Sequence, residues 1–258
     1  MMEEQLEKIV KRIEAKSKFK VIVSGPISAD KRNIRTQFEP PLVFSTEACN
    51  YEMALTRLET YYSFPNINTT NNQLKISFDD KKTWKVITIP TGCYEIESIN
   101  TTLQQLIKEN GGEADTVKLS PNRNTLKCML KIKKKSCFID FKIVNCIRTV
   151  LGFDAKIYGI GLHQSQHLVD IMSVNSILVN CDIIGASRVN GVEAPIIYSF
   201  FPNVSPGEKI IVEPRNLIYV PVTLSIISHM TCWLTDQNKR HIDLQGEELT
   251  IAFHLKAC

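Results

Sequence analysis

The sequence lacks the common catalytic motifs, long apolar runs and a secretion signal. No G-x-S-x-G, P-loop or dinucleotide-binding motif occurs, and Gly159-Ile160-Gly161 alone is too short to indicate one. No apolar run of about 18 residues occurs, so we expect no membrane-spanning helix. Because acidic residues follow Met1 and Met2, instead of a basic segment and an apolar stretch, we expect no signal peptide. These absences weigh against an enzyme, a membrane protein and a secreted protein.

The eight cysteines include no C-x-x-C pair. In a chain without a secretion signal, scattered cysteines are expected to be reduced thiols, several of them buried as small apolar groups. We therefore expect synthesis in a reducing host compartment, the cytoplasm or the nucleus.

One group of residues has the spacing of a helical metal site. His163, His167 and Asp170 would share a helix face, but no Glu stands between the histidines as in H-E-x-x-H, and no further ligand follows at a usual interval. We interpret this segment as a polar linker and expect no metal and no cofactor. A Cys–His nucleophile has no local signature, so a hydrolase is the most distant function considered.

Composition indicates a folded chain with a mild positive charge. Of the 258 residues, 43% are hydrophobic and 22% are charged, which suits a sizeable core and argues against disorder. The net charge of +4 does not by itself indicate nucleic-acid binding. This length fits one large β domain or two small domains.

The first 41 residues differ from the remainder. Residues 4–16 place apolar side chains at the i, i+3, i+4, i+7 spacing of an amphipathic helix. Residues 24–41 have little periodicity and contain turn residues, so we predict an extended arm or loop there. Residues 1–41 are therefore predicted to be an N-terminal helix and arm that precede the main domain.

Residues 42–258 have the alternation and turn spacing of an antiparallel β-sandwich. A helix is predicted with Ser98 as a possible N-cap and a stop at 110–112. It lies in a mixed α+β stretch, 84–153, which we interpret as an insertion. Because a jelly roll protects sheet edges and leaves loops for subunit contacts, we predict an all-β, mainly antiparallel jelly-roll β-sandwich with an α+β insertion and an N-terminal amphipathic helix.

Two aromatic segments nearly repeat each other, and each ends in Pro-Asn. Aromatic residues suit strands and Pro-Asn favours a turn, so each segment predicts the end of a strand. The rings either belong to the core or, if they reach the surface, suit a subunit contact. The candidate interface residues are Tyr61, Tyr62, Phe64, Tyr198, Phe200 and Phe201.

The positive charge is concentrated in residues 118–142. This stretch holds eight Lys and Arg and one acid, Asp140, a local charge of +7 against −3 for the remainder of the chain. It could neutralise nucleic-acid phosphates or an acidic partner, or it could be a lysine-rich outer face that prevents edge-to-edge strand pairing. Few aromatics interleave, so base stacking is not favoured. The candidate residues facing DNA or an acidic partner are Lys127, Lys131, Lys133, Lys134 and Lys135.

Five segments are distinctive when they are considered together. Residues 51–67 read YEMALTRLETYYSFPNI, 89–96 read IPTGCYEI, 151–153 read LGF, 233–238 read WLTDQN, and 243–247 read DLQGE. In combination they resemble the minor capsid, or penton, proteins of Polinton/Maverick elements and adintoviruses. The matching stretches span about 50–258.

The resemblance implies a single jelly roll that assembles as a homopentamer at icosahedral vertices, beside the major capsid protein of the same element. It also implies no catalytic residues and localisation in the virion, with the basic stretch available to packaged DNA. Two other functions stay open. The chain could be a major capsid subunit of the same element, for which 258 residues is short, or a non-viral β-sandwich that recognises a ligand or glycan through a concave pocket.

Overall fold

The computed structural model describes residues 19–27, 30–43, 51–172, 174–185, 187–189 and 191–257. The amphipathic helix predicted over 4–16 lies outside these residues. The chain divides into two compact units, and one of them, Phe64–Ser173, is continuous in sequence. We call it the insertion unit. The other combines Met1–Ser63 with Val174–Cys258.

Eighteen strands and two helices lie within the described residues. In chain order they are β1 (Phe19–Pro26), β2 (Ile34–Val43), β3 (Tyr51–Tyr61), β4 (Gln73–Ser77), β5 (Lys85–Thr88), α1 (Ile96–Glu109), β6 (Val117–Asn122), β7 (Lys127–Ile132), β8 (Phe138–Asp140), α2 (Arg148–Leu151), β9 (Ile157–Tyr158), β10 (Gly161–Gln164), β11 (Ile177–Cys181), β12 (Arg188–Val189), β13 (Val192–Glu193), β14 (Ile196–Phe200), β15 (Lys209–Val212), β16 (Val220–Pro221), β17 (Ile226–Asp236) and β18 (Glu248–Ala257).

The two-segment unit has the strand order of a jelly roll. One of its sheets has the order β1-β18-β3-β15, with β16 also pairing β3, and a second has the order β14-β11-β17-β2. The antiparallel pairs are nested along the chain, because β1 pairs β18, β2 pairs β17, β3 pairs β15 and β11 pairs β14. A long hairpin rolled into two sheets gives this nesting. The predicted fold class is confirmed, and we call this part the jelly-roll unit.

Alternation of buried and exposed side chains sets the register of its central strands. Leu58 of β3 lies opposite Ile251 of β18, and Val23 of β1 lies opposite the same Ile251. All three side chains are almost fully buried. A slip of one residue would turn this apolar set towards water, so burial on one side specifies the pairing.

The expectation of an arm or loop over 24–41 needs correction, because β1 and β2 occupy most of that stretch and belong to the two sheets. Strand β2 is an edge strand, and its register with β17 shifts between Ile227 and His229. Residues 38–41, with Pro40 and Pro41, fall at this shift. Edge strands and bulges tolerate proline, so the prolines that hid the strand from sequence reasoning are compatible with it.

The insertion unit contains two sheets, β5-β4-β8-β9 and β10-β7-β6, and helix α1. Its buried apolar cluster runs from Ile67 to Tyr158, so the core is built within the unit. The unit extends beyond the 84–153 stretch on both sides, since β4 and β10 belong to it. Across the described residues of the whole chain, no helix is long and apolar enough to cross a bilayer.

Helix α1 begins two residues before the predicted cap. Its N-cap is Glu95, which makes no side-chain cap hydrogen bond, and Ser98 lies inside the first turn. Ile96, Ile99, Leu103 and Ile107 form its buried stripe, and the apolar Ile96 extends that stripe towards the N-terminus, so packing overrides the capping preference of Ser98. The helix ends as predicted, at Asn110 with Gly111 at φ 80°.

Candidate interaction surfaces

The first aromatic segment does not form a single surface. Tyr61 ends β3 with 40% of its surface exposed, and Tyr62 is half-buried. Phe64 is only 5% exposed and belongs to the insertion unit. Of these three candidate residues, Tyr61 therefore offers the ring that is open to a partner, and Phe64 fits the core interpretation.

The second aromatic segment lies along an edge strand. Strand β14 pairs with β11 on one side, and Phe201 directly after it is 71% exposed, whereas Tyr198 and Phe200 are half-buried. Tyr198 and Ile218 line an open groove of about 530 Å³.

Two polar side chains of this groove have partners within the chain. Ser187 Oγ donates to the carbonyl oxygen of Ile196 at 2.6 Å, and Arg188 lies 3.5 Å from Glu193. Apolar residues such as Leu178 and Ile218 line the groove together with the polar side chains of Tyr198 and Ser199.

Sequence reasoning missed a second apolar surface, at the margin of the β14-β11-β17-β2 sheet. Val43 of β2 and Ile226 of β17 lie directly opposite each other and are 71% and 59% exposed. Leu224, just before β17, is exposed as well. We call these three residues the margin patch.

A signal for such residues is present in the sequence. Successive side chains of a strand point to opposite faces, so one of two adjacent apolar residues must face outward when the other enters the core. In the pair Ile226-Ile227, Ile226 is exposed and Ile227 is buried. In the pair Ile210-Ile211, Ile211 is exposed and Ile210 is buried.

A charged network covers part of the jelly-roll unit near Tyr61. Glu59 lies 2.7 Å from Arg57 and 2.5 Å from Lys209, the residue opposite Tyr61. The hydrogen bond from Lys209 and the charge of Arg57 hold the pKa of Glu59 below its usual value, against the opposing effect of partial desolvation. Exposed ion pairs of this kind are screened by salt and contribute little to stability.

The basic stretch of the sequence forms the β6–β7 hairpin and the turn after it. Lys131 is exposed and Lys127 is half-buried on β7, while Lys133, Lys134 and Lys135 occupy the exposed turn before β8. Lys134 forms an ion pair with Glu113. The five candidate lysines therefore divide into a sheet group and a turn group.

The residues with metal-site spacing do not share a helix. His163 lies on strand β10, where its Nε2 contacts the carbonyl oxygen of Gly159 at 2.8 Å, and His167 Nε2 lies 3.2 Å from Asp154. Within the described part of the chain, no group of three or more His, Cys, Asp or Glu side chains is arranged to hold a metal ion.

Several cysteine thiols lie in the core of the insertion unit. Burial raises the pKa of Cys128 to about 12 and the pKa values of Cys137 and Cys146 to about 11. Thiols with such values stay protonated at neutral pH and are poor nucleophiles. These three cysteines act as small apolar core residues.

No family model and no curated protein sequence matches the chain. Among solved structures, the mavirus penton protein is similar, with 8% sequence identity and a TM-score of 0.49, over 93% of this chain and 100% of that one. The jelly-roll order described above rests on the strand pairing of this chain itself.

Proposed function

We propose that the chain is a structural capsid subunit of a virus or a virus-derived transposable element. More narrowly, we infer a minor capsid, or penton, protein that forms homopentamers at icosahedral vertices beside the major capsid protein of the same element. Such a subunit is located in the virion, where it binds copies of itself and the neighbouring capsid proteins through heterologous contacts.

The observation that carries the proposal is a jelly roll that leaves paired apolar side chains in water. The margin patch joins Val43 and Ile226 across two strands, and Phe201 and Ile218 are exposed elsewhere on the same unit. Single exposed apolar residues are ordinary, but contiguous ones mark interaction sites. A fold alone does not establish a function, so these surfaces and the resemblance of segments such as 51–67 support the assignment together.

Native mass spectrometry of the purified protein over a range of concentration and salt tests the proposal. We expect a closed ring, with five copies as the dominant species. A monomer under every condition would contradict it.

A matched pair of variants locates the contact. Val43→Asp/Ile226→Asp should abolish the ring while the monomer stays folded, because burying an unpaired carboxylate in an apolar contact is unfavourable. Val86→Asp/Val144→Asp, which adds the same two charges at exposed positions of the insertion unit, should leave the ring intact. Equal loss in both variants would show that the margin patch is not the contact.

A further inference from the structure

The outward side of the β10-β7-β6 sheet is a basic surface without acids. Its polar residues are Lys118, Ser120 and Asn122 on β6, Lys127 and Lys131 on β7, and Gln164 on β10. Met129 and the exposed Leu162 complete this side. We call it the lysine face.

Two lysines oppose each other on this face. Lys118 of β6 and Lys131 of β7 are register partners, and both are exposed. Like charges placed directly opposite on neighbouring strands are destabilising. The neighbour of Lys131 on the other side is Leu162, so this position supplies no counter-charge.

Internal ion pairs do not relieve this repulsion. Among the described residues, ion pairs engage Arg123 with Glu97 and Lys134 with Glu113, but none engages Lys118, Lys127 or Lys131. The face therefore keeps its positive charge at the expense of sheet stability.

Protection of a sheet edge does not explain this charge. Strand β7 is the central strand of the sheet, so Lys127 and Lys131 guard no free edge. The open side of β6 is met by helix α1, where Gln104 Nε2 donates to the carbonyl oxygen of Val117, and Asn100 Oδ1 accepts from the N–H of Leu119 at 2.8 Å.

The turn group of lysines has an acid among its partners. Lys134 is paired with Glu113, and the N–H of Asp80 donates to the carbonyl oxygen of Ser136 at 2.9 Å, which places the turn 79–82, with two Asp and two Lys, next to this group. The two lysines that stand directly opposite each other, Lys118 and Lys131, lie on the sheet together with Lys127, and among the described residues none of the three forms an ion pair.

We propose that the lysine face binds the phosphate backbone of double-stranded DNA without reading its sequence. Hydroxyl, amide and lysine groups are the usual partners of phosphate oxygens. The face lacks the aromatic side chains on which the bases of single strands stack. It also lacks Arg, Tyr and Trp, the usual anchors of protein interfaces, in which Lys is depleted. The identity of the DNA rests on the proposed capsid function, because the duplex that a capsid subunit meets is the packaged genome, while binding itself rests on the face.

Fluorescence anisotropy with a labelled random-sequence DNA duplex and the full chain tests this proposal. With three lysines engaged, log Kobs should fall with log[salt] at a slope of about −2.7, or about 40-fold between ~50 and ~200 mM salt. For Lys118→Gln/Lys131→Gln the slope should flatten to about −0.9, a loss of only about three-fold over the same range.

The control is Lys82→Gln/Lys142→Gln, which removes the same charge from exposed loop positions of the insertion unit that do not belong to the lysine face. It should keep the wild-type slope. An equal change in both variants, or no change in either, would overturn the proposal. The proposal would also be overturned if the protein bound polyglutamate more strongly than the duplex and this binding depended equally on Lys118 and Lys131. The partner would then be an acidic protein.

Folding and assembly are monitored separately in the same variants. Because Lys118→Gln/Lys131→Gln relieves a like-charge pair, it should melt at or above the wild-type temperature, so weaker binding cannot come from unfolding. Native mass spectrometry should show the wild-type oligomer for this variant. Weaker DNA binding of this variant with intact rings assigns the effect to the lysine face alone. Absence of rings in the wild type with intact DNA binding would contradict the capsid assignment but not the lysine-face proposal.

Discussion

The jelly-roll unit and the insertion unit differ in the range of their strand pairings, although the insertion unit also contains one distant pairing, of β4 with β8. In the jelly-roll unit, β1 pairs with β18, and β2 pairs with β17, so strands from the two ends of the chain lie side by side. In the insertion unit, β4 pairs with β5, and β6 pairs with β7, across short turns. Nearby contacts are less costly in loop entropy than distant ones. The insertion unit is therefore the part that can form from its own segment.

The surfaces of the two units differ as well. Phe64–Ser173 holds 15 Lys and Arg against 10 Asp and Glu, whereas the remainder of the chain holds 16 and 17. The paired exposed apolar residues of the margin patch lie on the jelly-roll unit. Self-association is accordingly proposed for the jelly-roll unit and DNA contact for the insertion unit.

The largest expected effect comes from dividing the chain. Residues 64–173 expressed alone should fold, because their apolar cluster lies within the segment. Residues 174–258 alone should not fold, because β11, β17 and β18 would lose β2, β1 and β3. Circular dichroism and amide hydrogen exchange would check both fragments. An unfolded 64–173 fragment would contradict the comparison.

A smaller effect is expected from removing one core ring in each unit. Phe253→Ala in β18 and Phe141→Ala, whose ring lies 5.4 Å from Phe153, should each lower the free energy of unfolding by about 3–5 kcal/mol. Native-state hydrogen exchange should show the loss of protection mainly in the unit that carries the substitution. Equal losses in both units from either substitution would show that they unfold as one body.

Removing the side-chain hydrogen bonds by which helix α1 covers the open side of β6 should have a moderate effect on stability. Asn100→Ala removes the acceptor for the N–H of Leu119, and Gln104→Ala removes the donor to Val117. Each should destabilise the unit by about 1–3 kcal/mol, because a buried backbone group loses its partner. Urea unfolding measures this, with Gln105→Ala on the exposed side of α1 as the control, expected within about 0.5 kcal/mol of wild type. Comparable losses in the control would remove the specific role of the two amides.

The smallest effect concerns acid stability of the insertion unit. Hydrogen bonds from Thr83, through its hydroxyl and its N–H, lower the pKa of Asp79 from 3.8 to about 2. A carboxyl with a lower pKa in the folded state contributes stability above about pH 3.8, and this contribution is lost as pH falls towards 2. Asp79→Asn should flatten this part of the stability profile, measured by urea unfolding between these pH values. Asp80→Asn should retain it, and an unchanged profile in Asp79→Asn would contradict the assignment.

The local elements of the fold could be predicted from the sequence, and the strand partners could not. The hairpin turn near 79–82 and the stop of α1 at Asn110 depend on neighbouring residues, so turn chemistry and periodicity indicate them. The pairing of Val23 with Ile251 joins residues from opposite ends of the chain. No local pattern distinguishes Ile251 from other buried apolar partners.

The candidate surfaces could be predicted only in part, because they too depend on strand pairing and packing that no local sequence pattern indicates. Lys131 stands out in the sequence as part of a charge run, but its like-charged partner Lys118 depends on the register of β6 and β7. Tyr61 and Phe64 have the same aromatic character, and only the packing around each ring separates an exposed side chain from a buried one. Residue type predicts which side chains suit an interface, and tertiary structure decides which of them reach it.

Electron microscopy of the protein expressed together with the major capsid protein of the same element tests the central claim most directly. The account predicts five-fold vertices occupied by this chain, with its jelly-roll units in mutual contact and Val43 and Ile226 covered. Shells whose vertices lack the chain, or a chain that remains a solitary molecule beside complete shells, would contradict it.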